Sequence, residues 1–443
     1  MLRLAARTFA HHRATAVATG AVAMVGTALV AAMAGLLGTG LATTTPIADR
    51  SFLTLFPLIL GGWIVAIVVF AMVSTVGVAL EGRAGEIAGI RLIGATPRQV
   101  QSLSVLETAA VLLVAAVPGV AMGYLLGWGL AGAVGAAGLT TETAPFTPGV
   151  LLPLGGALVV ILAGVAAAWL GSRTVAARSP IADAAPSRGR QTGTARRAGR
   201  GRRLAGIALT AAGLGSSAAV LGMSADDVIT TALTGPGCVL VAAGLSVLAP
   251  ELIALANRAL HALPASRGNA PTHLATINLE VAPERVRPTV TFLTLFVGIA
   301  AGTLGMQGIE NAAGAPDGEG RLIGAINYVV VGLIATFMAI ALANNLVATI
   351  TRRRPEFATM ALVGATGSQT LRMLVTEVAA ATLVSAVAGC VGASASILPF
   401  AIVKSGDPLL ALAPVPYLLA VGVGAAITLA VTRLAGRRAI RDA

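Results

Sequence analysis

The chain has 443 residues, 56% of them hydrophobic and 11% charged, with a mean hydropathy of +0.88. Soluble domains carry about 25% charged residues, so the composition excludes a water-soluble globular protein and points to a polytopic membrane protein. The formal net charge of +12 invites a nucleic-acid reading only until the arginines are placed along the chain.

Residues 1–38 begin with Arg3, Arg7 and Arg13 ahead of an apolar stretch at 14–37. That stretch is longer than the roughly 7 to 15 residues of a signal-peptide core and suits a full span of about 20 residues. The first span is therefore expected to be retained. Apolar runs of spanning length fall near 15–38, 52–80, 99–134, 148–172, 204–223, 229–257, 288–310, 325–350, 369–402 and 413–432. The expected fold is all-α with ten transmembrane helices.

The loops near 83–98, 173–203, 258–287 and 351–372, with both termini, hold all of the 30 Lys+Arg except Arg50, Arg321 and Lys404. The positive-inside rule places those loops and both termini in the cytoplasm. This distribution accounts for the +12 without nucleic acid. The basic tract Arg188 to Arg203 follows Pro180 and Pro186 and is rich in Gly, Ala and Thr; such a composition cannot bury a core. A disordered loop touching anionic membrane lipid is expected there.

A segment between the second and third runs is written twice. Glu86-Ile87-Ala88-Gly89-Ile90-Arg91-Leu92-Ile93-Gly94-Ala95-Thr96 recurs as Glu356-Phe357-Ala358-Thr359-Met360-Ala361-Leu362-Val363-Gly364-Ala365-Thr366, an offset of 270 residues. At the same offset Arg83 pairs with Arg353, Gln99 with Gln369 and Glu107 with Glu377. An ungapped echo of this length is an internal duplication. Ile87, Ile90 and Ile93, like Phe357, Met360 and Val363, recur every third residue and mark one stripe of a short amphipathic helix. Gly94 and Gly364 follow as helix stops.

The duplication divides the chain into 1–178, a four-helix repeat with a short helix near 83–96; 179–203, a basic cytoplasmic loop; 204–262, two connecting spans; and 263–443, a second four-helix repeat with a short helix near 353–366. Six runs separate the two copies, an even number, so the repeats are parallel and both short helices face the cytoplasm.

Basic residues, a glutamate, a few apolar residues and Gly-Ala-Thr between hydrophobic spans resemble the cytoplasmic signature of FtsX-like ABC permeases, the family of the MacB, lipoprotein-releasing and bacitracin-type permeases. The resemblance covers Trp63 to Arg178 and Val330 to Arg438. It implies that the short helices are coupling helices seated in two separate ATPase subunits, with one permease chain per complex in a bacterial inner membrane. Carried across by residue, Arg83, Glu86, Arg91, Gly94, Thr96 and Arg98 would serve one contact and Arg353, Glu356, Gly364 and Thr366 the other. Arg91 and Arg98 become Ala361 and Ser368, so unequal contacts are expected. ATP and Mg would belong to the partner ATPases, and no cofactor to this chain. The large extracytoplasmic domains of better-known members have no counterpart here, where the connections near 38–51 and 310–324 are short.

The rest of the sequence offers no enzyme chemistry. The phosphate-binding pattern G-x-x-x-x-G-K-[ST] needs a lysine before Ser or Thr, and the single lysine, Lys404, lies outside any such pattern. His11, His12, His261 and His273 lack metal-ligand spacing, and Asp226-Asp227 fits a solvated loop. Cys238 and Cys390 sit in apolar runs as small hydrophobes. Glu107 and Glu377, near the start of their spans, are expected to bond the coupling region or a loop arginine, with proton coupling as the alternative. Phe56, Trp63, Phe296 and Phe337 are candidates for a wall facing a hydrophobic or amphipathic substrate. Three functions stay open: an ATP-driven exporter or extractor of a lipid, peptide or antibiotic; a regulatory membrane subunit acting on a sensor kinase or cell-wall enzyme; and an ATPase-independent channel or carrier.

Overall fold

The structure, a computed structural model, describes residues 13–81, 83–136, 138, 140, 145–176, 193–225, 228–262, 270–314 and 318–443. His11, His12, Asp226, Asp227 and Arg188 to Arg190 lie outside these. The described residues form helices and connecting turns, with no strand among them.

Ten helices are long and apolar enough to cross a membrane, among the described residues. The first half contributes α1 (Arg13–Leu41), α2 (Ile47–Glu81), a nine-residue α3 (Ala84–Leu92), α4 (Pro97–Ala136) and α5 (Leu151–Ala176). Next come α6 (Gly193–Ala218), α7 (Val228–Val247) and two short helices, α8 (Ala249–Ala262) and α9 (Ala270–Val281). The second half continues with α10 (Arg287–Ala313), α11 (Gly318–Arg352), a nine-residue α12 (Arg354–Leu362), α13 (Gly367–Ser405) and α14 (Pro414–Arg441). The long helices carry exposed large side chains, such as Leu113, Val117, Leu125 and Trp128 on α4 and Leu418 and Leu419 on α14. An apolar exterior of this extent requires a lipid surround.

Two of the expected elements differ. The run at 229–257 is broken at Leu248, whose N–H bonds back to Gly244 and Leu245 and closes α7. Pro250 has no N–H to extend the ladder and is tolerated only in a first turn, so the chain restarts as α8. The basic tract is not a loop throughout: from Gly193 it is the first part of α6. Arginine is a good helix former, and Arg202 and Arg203 are held by Glu251 of α8 at 2.7 and 2.6 Å.

The described chain separates into two compact units, one of residues 1–192 and 316–337, the other of 193–315 and 338–443. Grouping by packing therefore differs from grouping by repetition: α6 to α9 belong with the second half, and α11 is shared. In the first unit α1 packs against α2, α4 and α5. In the second, α10 is the most enclosed span, 89% of its central window being buried, and α7, α13 and α14 lie against it.

Helices α6 and α7 approach through small residues. A Cβ on Gly213 would stand 2.6 Å from the Gly237 carbonyl, and one on Gly244 2.3 Å from Thr210 Oγ1. Only glycine permits backbones this close, the usual device for joining membrane helices. Both cysteines are free thiols, Cys238 buried and Cys390 half-buried. At the end of α13 remote from α12, Lys404 faces Glu310 at 3.4 Å, and Thr231 donates to the same carboxylate at 3.1 Å.

Helices α8 and α9 form a shelf beneath α10. Ala249 and Ile253 of α8, Leu279 of α9, Val286 and Val290 at the base of α10, and Ala381 of α13 make one buried cluster. A 3₁₀ turn, Pro283–Arg285, joins this shelf to α10.

Candidate functional site

Nine-residue helices are too short to persist alone in water, so α3 and α12 depend on their ends and anchors. Both ends are built alike. Glu86 and Glu356 occupy the first turns, where the helix dipole favours a carboxylate. At the other end Ala95 N–H bonds to Ile90 O at 3.2 Å and Gly94 N–H to Arg91 O at 3.1 Å; Ala365 to Met360 and Gly364 to Ala361 repeat this at 3.0 Å each. This pairing is the Schellman motif, which needs a left-handed residue after the helix. Gly94 and Gly364 supply it with φ of 104° and 93°.

The next span begins at once. Thr96 N–H donates to Gln99 Oε1 at 2.9 Å, and Gln99 N–H to Thr96 Oγ1 at 3.3 Å. Thr366 and Gln369 repeat both bonds at the same distances. These reciprocal caps start α4 and α13 in a fixed direction. The Gly-Ala-Thr signature is thus a three-residue joint, a helix stop followed by a helix start.

The apolar stripe ends sooner than its spacing suggests. Ile87 and Phe357 are buried, packed with Val100 in the first copy and with Ile350, Leu374, Val378 and Ala439 in the second. Ile93 and Val363, however, are 86% and 85% exposed. Each is the cap residue where the helix has already ended, so its side chain leaves the stripe. With Leu92 and Leu362, also exposed, they form an apolar tip on each short helix. Gly94, Thr96, Arg98, Gly364 and Thr366 are exposed beside these tips, and Arg91 is half-buried.

The two arginines expected to face a partner turn inward instead. Arg353 Nη1 donates to Glu377 Oε2 at 2.5 Å and Nη2 to Glu377 Oε1 at 3.3 Å. Its Nε and Nη2 each also donate to Glu356 at 3.1 Å, and its guanidinium lies over the Phe357 ring at 5.5 Å. Burial disfavours the guanidinium charge, but the hydrogen bonds and charges of Glu356 and Glu377 outweigh it and hold Arg353 above its ordinary pKa. In the first copy Arg83 donates to Glu107 and, at 3.5 Å, to Glu86. Glu107 in the same way outweighs the desolvation of Arg83. The arginine and the in-span glutamate are therefore an anchor between the short helix and the span that follows it.

Two further residues of this anchor fall outside the motif. Asn278 of α9 donates to Glu377 Oε1 at 2.5 Å, and Arg285 of the 3₁₀ turn donates to Glu356 Oε1 at 2.8 Å. Neither residue lies in the repeated segment, so the sequence carried no signal for them.

The four aromatic candidates are scattered. Phe296 and Phe337 are fully buried in helix packing rather than lining an open wall; Phe296 lies against Gly424 of α14. Trp63 is buried with its indole N–H unpartnered among the described residues. Phe56 is half-buried and stacks on Phe52 with centroids 5.2 Å apart.

A polytopic helical protein with two like-built short helices, each clamped between one span and the next, has the layout of an ABC transporter's membrane subunit. The FtsX-like permease C-terminal family matches residues 58–180 and 328–442, together more than half of the chain; each matched segment contains one short helix with its joint and anchor. The chain belongs to the FtsX-like permease family, whose members work with ABC ATPase partners. No curated protein matches it.

Proposed function

We propose that the chain is the transmembrane subunit of an ABC transporter in which α3 and α12 each seat in one of two ATPase subunits. ATP hydrolysis there, with Mg, would drive export or extraction of a hydrophobic or amphipathic substrate such as a lipid, peptide or antibiotic. The observation that carries this reading is the pair of exposed apolar tips, Leu92-Ile93 and Leu362-Val363. Each is held at the end of a helix whose other end is bonded into the protein. A bare apolar tip beside a rigid joint is suited to a pocket on a partner, because its burial there releases water without disturbing the anchor.

The arginine distribution and the even number of spans between the two copies support a cytoplasmic position for both tips and both termini. One chain supplies two tips, so one permease with two ATPases is the simplest stoichiometry. Arg83 and Arg353 act as positioning residues in this scheme. Direct contact falls to the tips, to the neighbouring Thr96, Arg98 and Thr366, and to Glu86.

Purification of the tagged chain with its ATPase provides the test. Ile93→Asp plus Val363→Asp is expected to abolish co-purification while the permease itself stays folded, because both side chains are exposed. Undiminished ATPase recovery would refute docking through the tips. In reconstituted bilayers, substrate-stimulated ATPase activity is the expected signature of transport.

A further inference from the structure

We infer that the Lys404–Glu310 pair is a latch at the end of α13 remote from α12, and that α13 couples its opening to the anchor of α12 at Glu377. Between Glu377 and Lys404 α13 has no charged residue, and α10 has none between Arg287 and Glu310. Beyond its first turns, any ionic tie of α13 therefore lies at Glu377 or at Lys404, roughly 40 Å apart at 1.5 Å per residue.

Between those ties α7, α10 and α13 meet through small residues. A Cβ on Gly298 of α10 would stand 2.8 Å from Ala242 of α7, and one on Gly389 of α13 3.0 Å from Gly298 N. Such a seam offers little side-chain interlock against a small shift of one helix along another. The near end is set by α12, because Arg353, its N-cap residue, donates to Glu377 at 2.5 Å. Pro399 removes one bond from the ladder of α13. Phe400 and Ala401 beyond it are completely buried, so packing carries the last turn with the rest of the helix.

The latch joins three helix ends. Glu310 stands in the last turn of α10, where the helix dipole disfavours a carboxylate. Its partners come from elsewhere: Lys404 from the last turn of α13 at 3.4 Å, and Thr231 from the first turn of α7 at 3.1 Å. Opening strands neither charge. Glu310 is 35% exposed and keeps Thr231, while Lys404 keeps the Phe400 ring, 5.9 Å from Nζ. A shift of about 1–2 Å, usual for packed helices, carries such a pair beyond the roughly 4 Å reach of a salt bridge. The place of this latch in a transport cycle rests on the ATPase-docking reading; the coupling within the chain does not.

Lys404 is the single lysine of the chain, so an amine-reactive ester reports on it directly. Labelling is followed by peptide mass spectrometry on the purified chain in lipid nanodiscs, without any ATPase, beside a free lysine peptide. Lys404 is expected to react at least about tenfold more slowly than the peptide. Glu377→Gln, at the opposite end of α13, should speed Lys404 labelling about threefold or more. Should that variant not fold, Asn278→Ala, which removes the amide donor to Glu377, is expected to act in the same direction. Thr366→Ala loosens the start of α13 but leaves Glu377 bonded, and should not change the rate. By reciprocity Glu310→Gln should speed hydrogen exchange at amides 357–365 by a similar factor. Peptide-like reactivity in the unaltered chain, or no response of Lys404 to Glu377→Gln and Asn278→Ala, would overturn the inference. So would equal acceleration by Thr366→Ala, which would mark general loosening. Addition of the ATPase and ATP should also speed labelling; failure of that arm alone, with the chain-only results as expected, would count against the docking reading and not against the latch.

Discussion

The first and second short helices share one design for their tips and use different designs for their roots. At the tip the left-handed glycine, the cap and the exposed apolar pair are nearly superimposable in their distances. At the root the second copy surrounds its arginine with two carboxylates, an amide and a second arginine, and in the first Arg83 bonds to Glu107 and Glu86. The tips are alike in geometry, and the roots differ in the residues that hold them.

The largest expected effect concerns the buried root. Glu377→Ala leaves Arg353 largely buried with only part of its counter-charge, and breaking a buried pair from one side costs about 3–5 kcal/mol. Glu107→Ala, at a wetter root, is expected to cost about 1.5–3 kcal/mol, the range for a charged hydrogen bond. Unfolding of the two variants in the same detergent measures both; equal losses would erase the distinction between the roots.

Substitutions at the joint should instead be symmetric. Nothing lies within 4 Å of a Cβ built on Gly94 or Gly364, so alanine meets only the left-handed backbone penalty of about 1–2 kcal/mol. The caps are smaller still. Thr96→Ala and Thr366→Ala should each cost about 1 kcal/mol, read as faster exchange in the first turn of α4 or α13. A marked difference between the copies in either pair would show that the tips are not equivalent.

The smallest effect lies behind the second root. Arg203 and Arg202 outweigh the desolvation of the Glu251 carboxyl and hold its pKa below the usual value. A depressed carboxylate stabilises the fold above its unfolded pKa, about 4.3, and that contribution is lost as pH falls through the lower folded value. Acidification through that range should loosen α8 from α6. Glu251→Gln should remove this contribution to the pH dependence of the α6–α8 contact, with a loss at neutral pH of about 1 kcal/mol or less.

Much of the architecture was legible in the sequence because membrane spans are set by the length of apolar runs. All ten expected runs contain a spanning helix, and the 270-residue echo located both short helices. The failures have local causes. Pro250 split the run at 229–257, and the arginines after Gly193 joined a helix that composition had left as loop. Ile93 and Val363 kept the period of the stripe, but the helix ended one residue earlier and turned them outward.

The direction of Arg83 and Arg353 was legible only from the glutamate side, where Glu107 and Glu377 were expected to bond the coupling region or a loop arginine, as they do. A repeated arginine reports that both copies need it, without saying whether it points to a partner or to Glu107 and Glu377. Asn278 and Arg285 were invisible for the opposite reason: they lie outside the motif, where the two halves no longer agree.

The central claim, that the two tips seat in ATPase subunits, is tested most directly by photocrosslinking from a benzophenone amino acid placed at residue 93 or 363. The account predicts ATPase adducts from both positions and none from the buried positions 87 and 357. Absence of an ATPase adduct at both 93 and 363, in a complex that still hydrolyses ATP, would contradict it.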